Sequence, residues 1–185
     1  MILGIDYSLT SPALCLYQGG DFSFDNLKFF YCSSLKKTII NNDTLRGFPY
    51  PEKYNNPLER YDRLSDWVLH IVASYDVKQV YIEDYAYSAT GKVFHIAENT
   101  GVLKYRLWNS YGILPVEIPP TVIKKAATGK GNANKELMQQ AFVEETGVNL
   151  KERLQLTDKQ WNPSSDIIDS YYICKFGALN YVKKE

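Results

Sequence analysis

Apolar residues in this chain fall into short runs and helical stripes, and two of the runs end in acids. Ile2, Leu3 and Ile5 lead to Asp6, after which Tyr7, Ser8 and Thr10 break the run. A continuous apolar run bounded by turn residues is the pattern of a buried central strand. Segment 13–18 (ALCLYQ) predicts a second strand, and Gly19 with Gly20 a hairpin turn. Segment 21–34, rich in Phe and Tyr, predicts a third. Three short strands in succession predict an antiparallel meander. Residues 34–57 are rich in Asn, Pro, Gly and Lys and read as a long surface loop.

The period then changes. Leu58, Tyr61, Leu64, Val68 and Ile71 recur at three and four residues, as on one face of a helix spanning 58–75. KQVYIED follows and repeats the opening device, with Val80 and Ile82 leading to Glu83 and Asp84. A strand–helix–strand unit makes parallel neighbours, so Asp6 and Glu83 are expected side by side. Carboxyl ends of strands are where open α/β sheets place their sites. Segment 92–110 predicts a second helix with Gly101 as a close-packing point, and 113–118 a fifth strand. Pro119 and Pro120 stop that strand, with Thr121 expected to cap a short helix. A last helix is expected from about residue 163, with Asp166 and Asp169 on one face. The whole reads as one α/β domain over 1–185: a five-stranded mixed sheet, its first three strands antiparallel and the others parallel, flanked by helices.

Composition narrows the class. Apolar and charged fractions of 45% and 23% are those of a globular protein. No apolar run approaches the length of a bilayer span, and the first predicted strand stands where a leader peptide would. The expectation is a cytoplasmic protein with no membrane partner, in a bacterium or, for a phage-encoded version, its host. Cys15, Cys32 and Cys174 sit among apolar neighbours without CxxC spacing and read as packed, reduced thiols. His70 and His95 lack metal-ligand spacing and read as structural or surface residues. Lysine plus arginine equals aspartate plus glutamate at 21 each, which argues weakly against nucleic-acid binding, but the charge is unevenly placed.

Segment 120–142 (PTVIKKAATGKGNANKELMQQAF) carries Lys124, Lys125, Lys130 and Lys135 with no acid before Glu136. Gly129 and Gly131 flank Lys130, and small residues there let a phosphate backbone approach lysine point charges. A solvated helix–loop–helix connection accounts for the same residues. The P-loop pattern is not met, since Gly131 stands where Ser or Thr is needed. Asp6 alone is explained as a strand-ending acid bonding turn N–H groups, and Asp166 as favourable charge at a helix N-terminus. Asp169, among Ile167, Ile168, Tyr171 and Tyr172, is harder to explain so. Taken together, Asp6, Glu83, Asp166 and Asp169 are the hard oxygen donors that Mg²⁺ or Mn²⁺ prefers. Two such ions suit in-line displacement at phosphorus, and cations rather than lysines are the expected remedy for four gathered carboxylates.

These blocks resemble the RuvC-type Holliday junction resolvases of the ribonuclease H-like superfamily. GIDYSLTSPAL is similar to the family's opening strand with its first catalytic Asp, and VYIED to the strand with its catalytic Glu. The segment from Pro119 to Gln140 resembles the family's basic stretch, and SDIIDSYYI its terminal D-x-x-D. The resemblance implies a ribonuclease H-like fold and catalytic, metal-binding roles for Asp6, Glu83, Asp166 and Asp169. It implies two Mg²⁺ ions per site, with Mn²⁺ able to substitute. It also implies phosphate handling by Lys124 and Lys135, and a homodimer that nicks opposed strands of a four-way junction to leave 5′-phosphate and 3′-hydroxyl ends; Lys125 and Lys130 of the basic segment are further DNA-binding candidates. Aromatics after the catalytic Glu insert at the junction centre in relatives, and Tyr85 and Tyr87 are the candidates here. The neutral charge and the 34–57 insert, resembling phage and poxvirus versions, extend the expected substrates to other branched DNA. Two other readings are a catalytically inactive branched-DNA-binding protein and an actin-like ATPase, whose first strand also opens with GID.

Overall fold

Strand β1 (Ile2–Asp6) occupies the interior of a single sheet and fixes where everything else lies. The computed structural model describes residues 1–51, 53–84 and 93–181. The other strands are β2 (Ala13–Tyr17), β3 (Leu27–Ser33), β4 (Leu45–Pro49), β5 (Gln79–Glu83) and β6 (Val116–Ile118), in the order β4-β3-β2-β1-β5-β6. The β1–β2 and β2–β3 pairs are antiparallel, as expected of the meander. β5 pairs parallel with β1, and β6 parallel with β5.

The sheet therefore has six strands where five were expected. The extra strand, β4, lies within 34–57, expected to be loop, and pairs parallel with β3. Its sequence, LRGFP, hides it, because Gly and Pro are both depleted in strands. Position explains both residues. β4 is an edge strand, where Pro is tolerated, and a Cβ on Gly47 would lie 2.9 Å from the Tyr31 hydroxyl.

Alternation sorts the strand residues onto two faces. Leu3 and Ile5 of β1 and Val80 and Ile82 of β5 pack against helices α1 (Pro57–Ser74) and α2 (Val93–Tyr111). Leu64, Val68, Leu103 and Leu107 supply the helical side. Leu58, expected on the buried face of α1, is exposed. α2 carries Gly101 facing open space, not a close-packing point. The opposite face holds α3 (Pro120–Thr128), α4 (Lys135–Thr146), the single turn α5 (Leu150–Arg153) and α6 (Ser164–Tyr181). Thr121 does not cap α3: Pro119 is the N-cap, and Pro120 occupies the first turn, where its missing N–H costs nothing. The three cysteines are free and buried. None of the described helices is long and apolar enough to cross a membrane.

α6 lies directly on β1. A Cβ on Gly4 would sit 2.3 Å from the backbone nitrogen of Cys174, and one on Gly177 would sit 2.4 Å from the Tyr81 ring. Both glycines exist to let the helix reach the sheet. Because Gly4 meets backbone rather than a flexible side-chain end, Gly4→Ala is expected to cost about 3 kcal/mol or more of stability. A lowered denaturation midpoint in urea checks this, and an unchanged midpoint would show that α6 sits elsewhere.

Candidate active site

That close contact also sets the register of the acids. From Gly4 to Asp6 is two strand residues, about 6.6 Å. From Cys174 back to Asp169 is five helix residues, about 7.5 Å. The amino-terminal half of α6 thus comes level with the end of β1. The parallel register, Gly4 opposite Tyr81 and Ile5 opposite Ile82, carried one step further sets Asp6 across from Glu83. Alternation turns both toward the α6 face, since their flanking residues Ile5 and Ile82 point the other way.

The electrostatics record the gathering. Asp6 is held well above the usual carboxylate range by burial first, then by the charges of Asp166, Glu83 and Asp169, and it hydrogen-bonds Asp166. Asp169 is pushed up to about 8 by burial and by Glu83 and Asp166. Glu83 rises to about 7 through burial, with Asp166 adding and Lys124 opposing. Burial raises Asp166 too, but only to about 6, because Ser11 hydrogen-bonds it and Lys135 lies near. Among the described residues, no three acidic, histidine or cysteine side chains converge tightly enough to form a ready cation cage. Carboxylates that repel one another without a counter-charge have reason to stand apart.

Beside the acids opens a cleft of about 360 Å³, lined by Glu83 and Asp169 together with Lys124 and Lys135. The two lysines come from α3 and from the first turn of α4. Lys125 and Lys130 do not line the cleft and are exposed. The glycines around Lys130 have structural duties. Gly129 ends α3 at φ 77°, a conformation that favours glycine. A Cβ on Gly131 would press to 3.1 Å from the Thr121 carbonyl. Tyr85 and Tyr87 lie outside the described residues.

Three residues, two polar and one aromatic, were not singled out by the sequence. Ser11 Oγ donates to Asp166 Oδ2 at 2.8 Å, and Asn162 Nδ2 donates to Ser11 Oγ at 2.6 Å. Trp161 lines the cleft, with Lys151 Nζ 3.5 Å from its ring centroid. Ser11 sits in what reads as an ordinary turn, and Asn162–Pro163 reads as an ordinary helix lead-in; no periodic signal marks either.

Residues 51–160 match the family described as crossover junction endodeoxyribonuclease RuvC. The chain belongs to the RuvC family. The matched span takes in Glu83 and the lysines, whereas Asp6, Asp166 and Asp169 fall outside it. No curated protein sequence matches the chain significantly. Among solved structures, RuvC from Thermus thermophilus is 18% identical with a TM-score of 0.60, covering 99% of this chain and 96% of that one. The T. thermophilus RuvC complex with Holliday junction substrate gives 17% and 0.63, covering 97% and 93%. The yeast mitochondrial Holliday junction resolvase Ydc2 gives 16% and 0.50, covering 99% and 83%. At these identities the likeness shows a shared fold, the ribonuclease H-like sheet of the resolvases.

Proposed function

We propose that this RuvC-family protein is a divalent-cation-dependent DNA endonuclease that resolves four-way junctions, and cuts related branched DNA, by paired phosphodiester hydrolysis. The observation that carries this reading is the set of four carboxylates gathered from β1, β5 and α6, in which neighbouring acids raise Asp6, Glu83 and Asp169, beside a cleft that Lys124 and Lys135 also line. Membership of the RuvC family supports the substrate class, and a solved relative of the same fold is complexed with Holliday junction substrate.

The donor set fits Mg²⁺ or Mn²⁺: it consists of carboxylate oxygens only, and its negative charge is incompletely offset by lysine. Asp6, Glu83, Asp166 and Asp169 would hold two such ions. When bound, the cations supply positive charge to the reacting phosphate and make water a stronger nucleophile. The chain's own residues do the rest. Lys124 and Lys135 line the same cleft as Glu83 and Asp169 and hold the non-bridging oxygens of the scissile phosphate there. The Ser11 hydrogen bond fixes the Asp166 carboxylate. Water adds to phosphorus as the bond to the 3′ oxygen breaks. That oxygen takes up a proton, which leaves a 3′-hydroxyl and a 5′-phosphate.

Cleavage of a synthetic four-way junction in Mg²⁺ or Mn²⁺, by wild type and by Asp6→Asn, tests this reading. Paired nicks by the wild type alone support it. Tight junction binding without nicking by the wild type would replace it with an inactive branched-DNA-binding protein.

Paired nicking of a two-fold substrate calls for two sites related by a two-fold axis. α2 supplies a surface of the right kind: Phe94, Tyr105 and Trp108 lie exposed along it, with Leu114 exposed just beyond its end. Aromatic residues are enriched in interfaces, so we place a homodimer contact there. Trp108→Ala is expected to weaken dimerisation on the order of 30-fold, the effect of losing a central aromatic anchor of about 2 kcal/mol. Sedimentation equilibrium checks this, and an unchanged dimer constant would move the interface elsewhere.

The lysines have a separate signature. Lys124→Ala and Lys135→Ala should each lower the slope of log affinity against log salt by roughly 0.7–0.9. An unchanged slope in filter-binding titrations would show that the lysine faces away from DNA.

A further inference from the structure

Lys135 and Asp166 are joined by a chain of hydrogen bonds that passes through uncharged side chains. Lys135 Nζ lies 3.5 Å from Asn162 Oδ1 and 3.4 Å from Ser165 Oγ. Ser165 Oγ donates to the same Asn162 oxygen at 3.1 Å. On its other side the Asn162 amide nitrogen donates to Ser11 Oγ at 2.6 Å, and the Ser11 hydroxyl donates to Asp166 Oδ2 at 2.8 Å. Every direction agrees with its chemistry. An ammonium only donates, a carboxylate only accepts, and an amide donates from nitrogen and accepts at oxygen. The chain therefore runs one way, from Lys135 through Asn162 and Ser11 to Asp166. Its members come from the β1–β2 turn, from the lead-in to α6 and from the start of α4, so no local structure requires them to meet. Asp166 and Ser11 are both buried, where a hydroxyl without partners is costly.

We propose that Ser11 and Asn162 are positioning residues that hold the Asp166 carboxylate in one orientation beside Asp6 and tie that orientation to Lys135. The inference rests on the reading above, in which Asp166 holds a cation and Lys135 a phosphate. Ser11 occupies one carboxylate oxygen, which stops Asp166 from rotating away from the site. Asn162 in turn holds Ser11, with its oxygen kept toward the lysine that meets DNA. Outer hydrogen bonds of this kind tune the affinity of a carboxylate site for its cation.

The test titrates Mn²⁺ calorimetrically into DNA-free wild type, Ser11→Ala, Asn162→Ala and the double variant, alongside junction cleavage and junction binding in EDTA. Each single variant is expected to weaken Mn²⁺ binding about 10–100-fold, with the cleavage rate falling by a similar factor and binding in EDTA unchanged. Ser11→Thr, which keeps the hydroxyl, restores both. Because Asn162 acts through Ser11, the double variant is no weaker than Ser11→Ala alone. Asn162→Ala, at an exposed position, provides the comparison should Ser11→Ala disturb packing. Wild-type Mn²⁺ affinity in both single variants would overturn the proposal while leaving the nuclease reading intact, as would strictly additive losses. Weakened Mn²⁺ binding in a protein whose wild type nicks no junction would keep the positioning role and overturn the nuclease reading. A wild type that binds no Mn²⁺ would overturn both.

Discussion

Asp6→Asn is expected to nick a four-way junction on the order of 10³-fold more slowly than wild type, or not at all. A divalent site contributes several kcal/mol of charge stabilisation at a phosphoryl centre, and losing about 4 kcal/mol corresponds to about 10³ in rate. Asp6 is the acid whose removal discriminates best. Its carboxyl is raised by all three of the others and hydrogen-bonds Asp166, so it belongs to the centre of the set. Asparagine keeps its size and the capacity to hydrogen-bond Asp166, and it lies at the end of a strand whose apolar residues are untouched. The variant should therefore fold, with a melting temperature in EDTA at or above that of wild type, because one member of a mutually repelling set has gone. Loss of nicking with retained junction affinity and undiminished stability is the pattern that only a role in the chemistry produces. The measurement is single-turnover nicking on denaturing gels beside a mobility-shift titration. Equal rates would remove Asp6 from the reaction. Joint loss of binding and cleavage would reassign it to DNA contact or to the fold.

The parts of this site that could be read in the sequence are those with a period. Two apolar runs that each end in an acid, separated by a helical stripe, force a parallel pair and place Asp6 and Glu83 side by side; β1 and β5 pair that way. Asp166 and Asp169, three apart on a helix, share a face by geometry alone. What joins the two halves was not legible. The closeness of α6 to β1 depends on Gly4 lacking a side chain opposite Cys174, and a lone Gly in a strand has several other meanings. β4 escaped because its five residues include Gly and Pro, and only its place at the sheet edge makes both acceptable. The lysines divided. Lys124 lies on the inner side of α3 and Lys135 at the start of α4, both in the cleft wall, whereas Lys125 and Lys130 face solvent. Spacing in a segment that changes from helix to turn to helix gives no single face on which to count. Ser11 and Asn162 carry no pattern, since a hydrogen bond between residues 151 apart leaves no local trace.

Without cations, the protein is expected to lose stability as pH rises, through the same acids. Carboxylates in the unfolded chain titrate near 4. In the folded chain Asp166 titrates at about 6, Glu83 at about 7 and Asp169 at about 8, and Asp6 is raised as well. Burial is the first cause in each case. Repulsion from neighbouring acids adds to it at Asp6, Glu83 and Asp169, while Lys124 and Lys135 oppose part of the rise. Between the unfolded and folded values the native state keeps protons that the unfolded state has released. The slope of stability against pH is then negative. The penalty is absent below about pH 4 and fully incurred only above the folded values. In EDTA the melting temperature should therefore be lower at pH 8.5 than at pH 5.5. Asp169→Asn removes one of the raised groups, so it should melt higher than wild type at pH 8.5 and show little gain at pH 5.5. The size of the rise is about 2–4 °C for each kcal/mol relieved in a chain of this length. Comparing the two proteins at both pH values isolates Asp169 and the acids whose charges it touches. Mn²⁺ should raise the wild-type melting temperature most at pH 8.5, where binding no longer has to displace protons. Parallel melting curves for wild type and Asp169→Asn across this range would show that Asp169 carries no unrelieved charge, and the carboxylate set would lose a member.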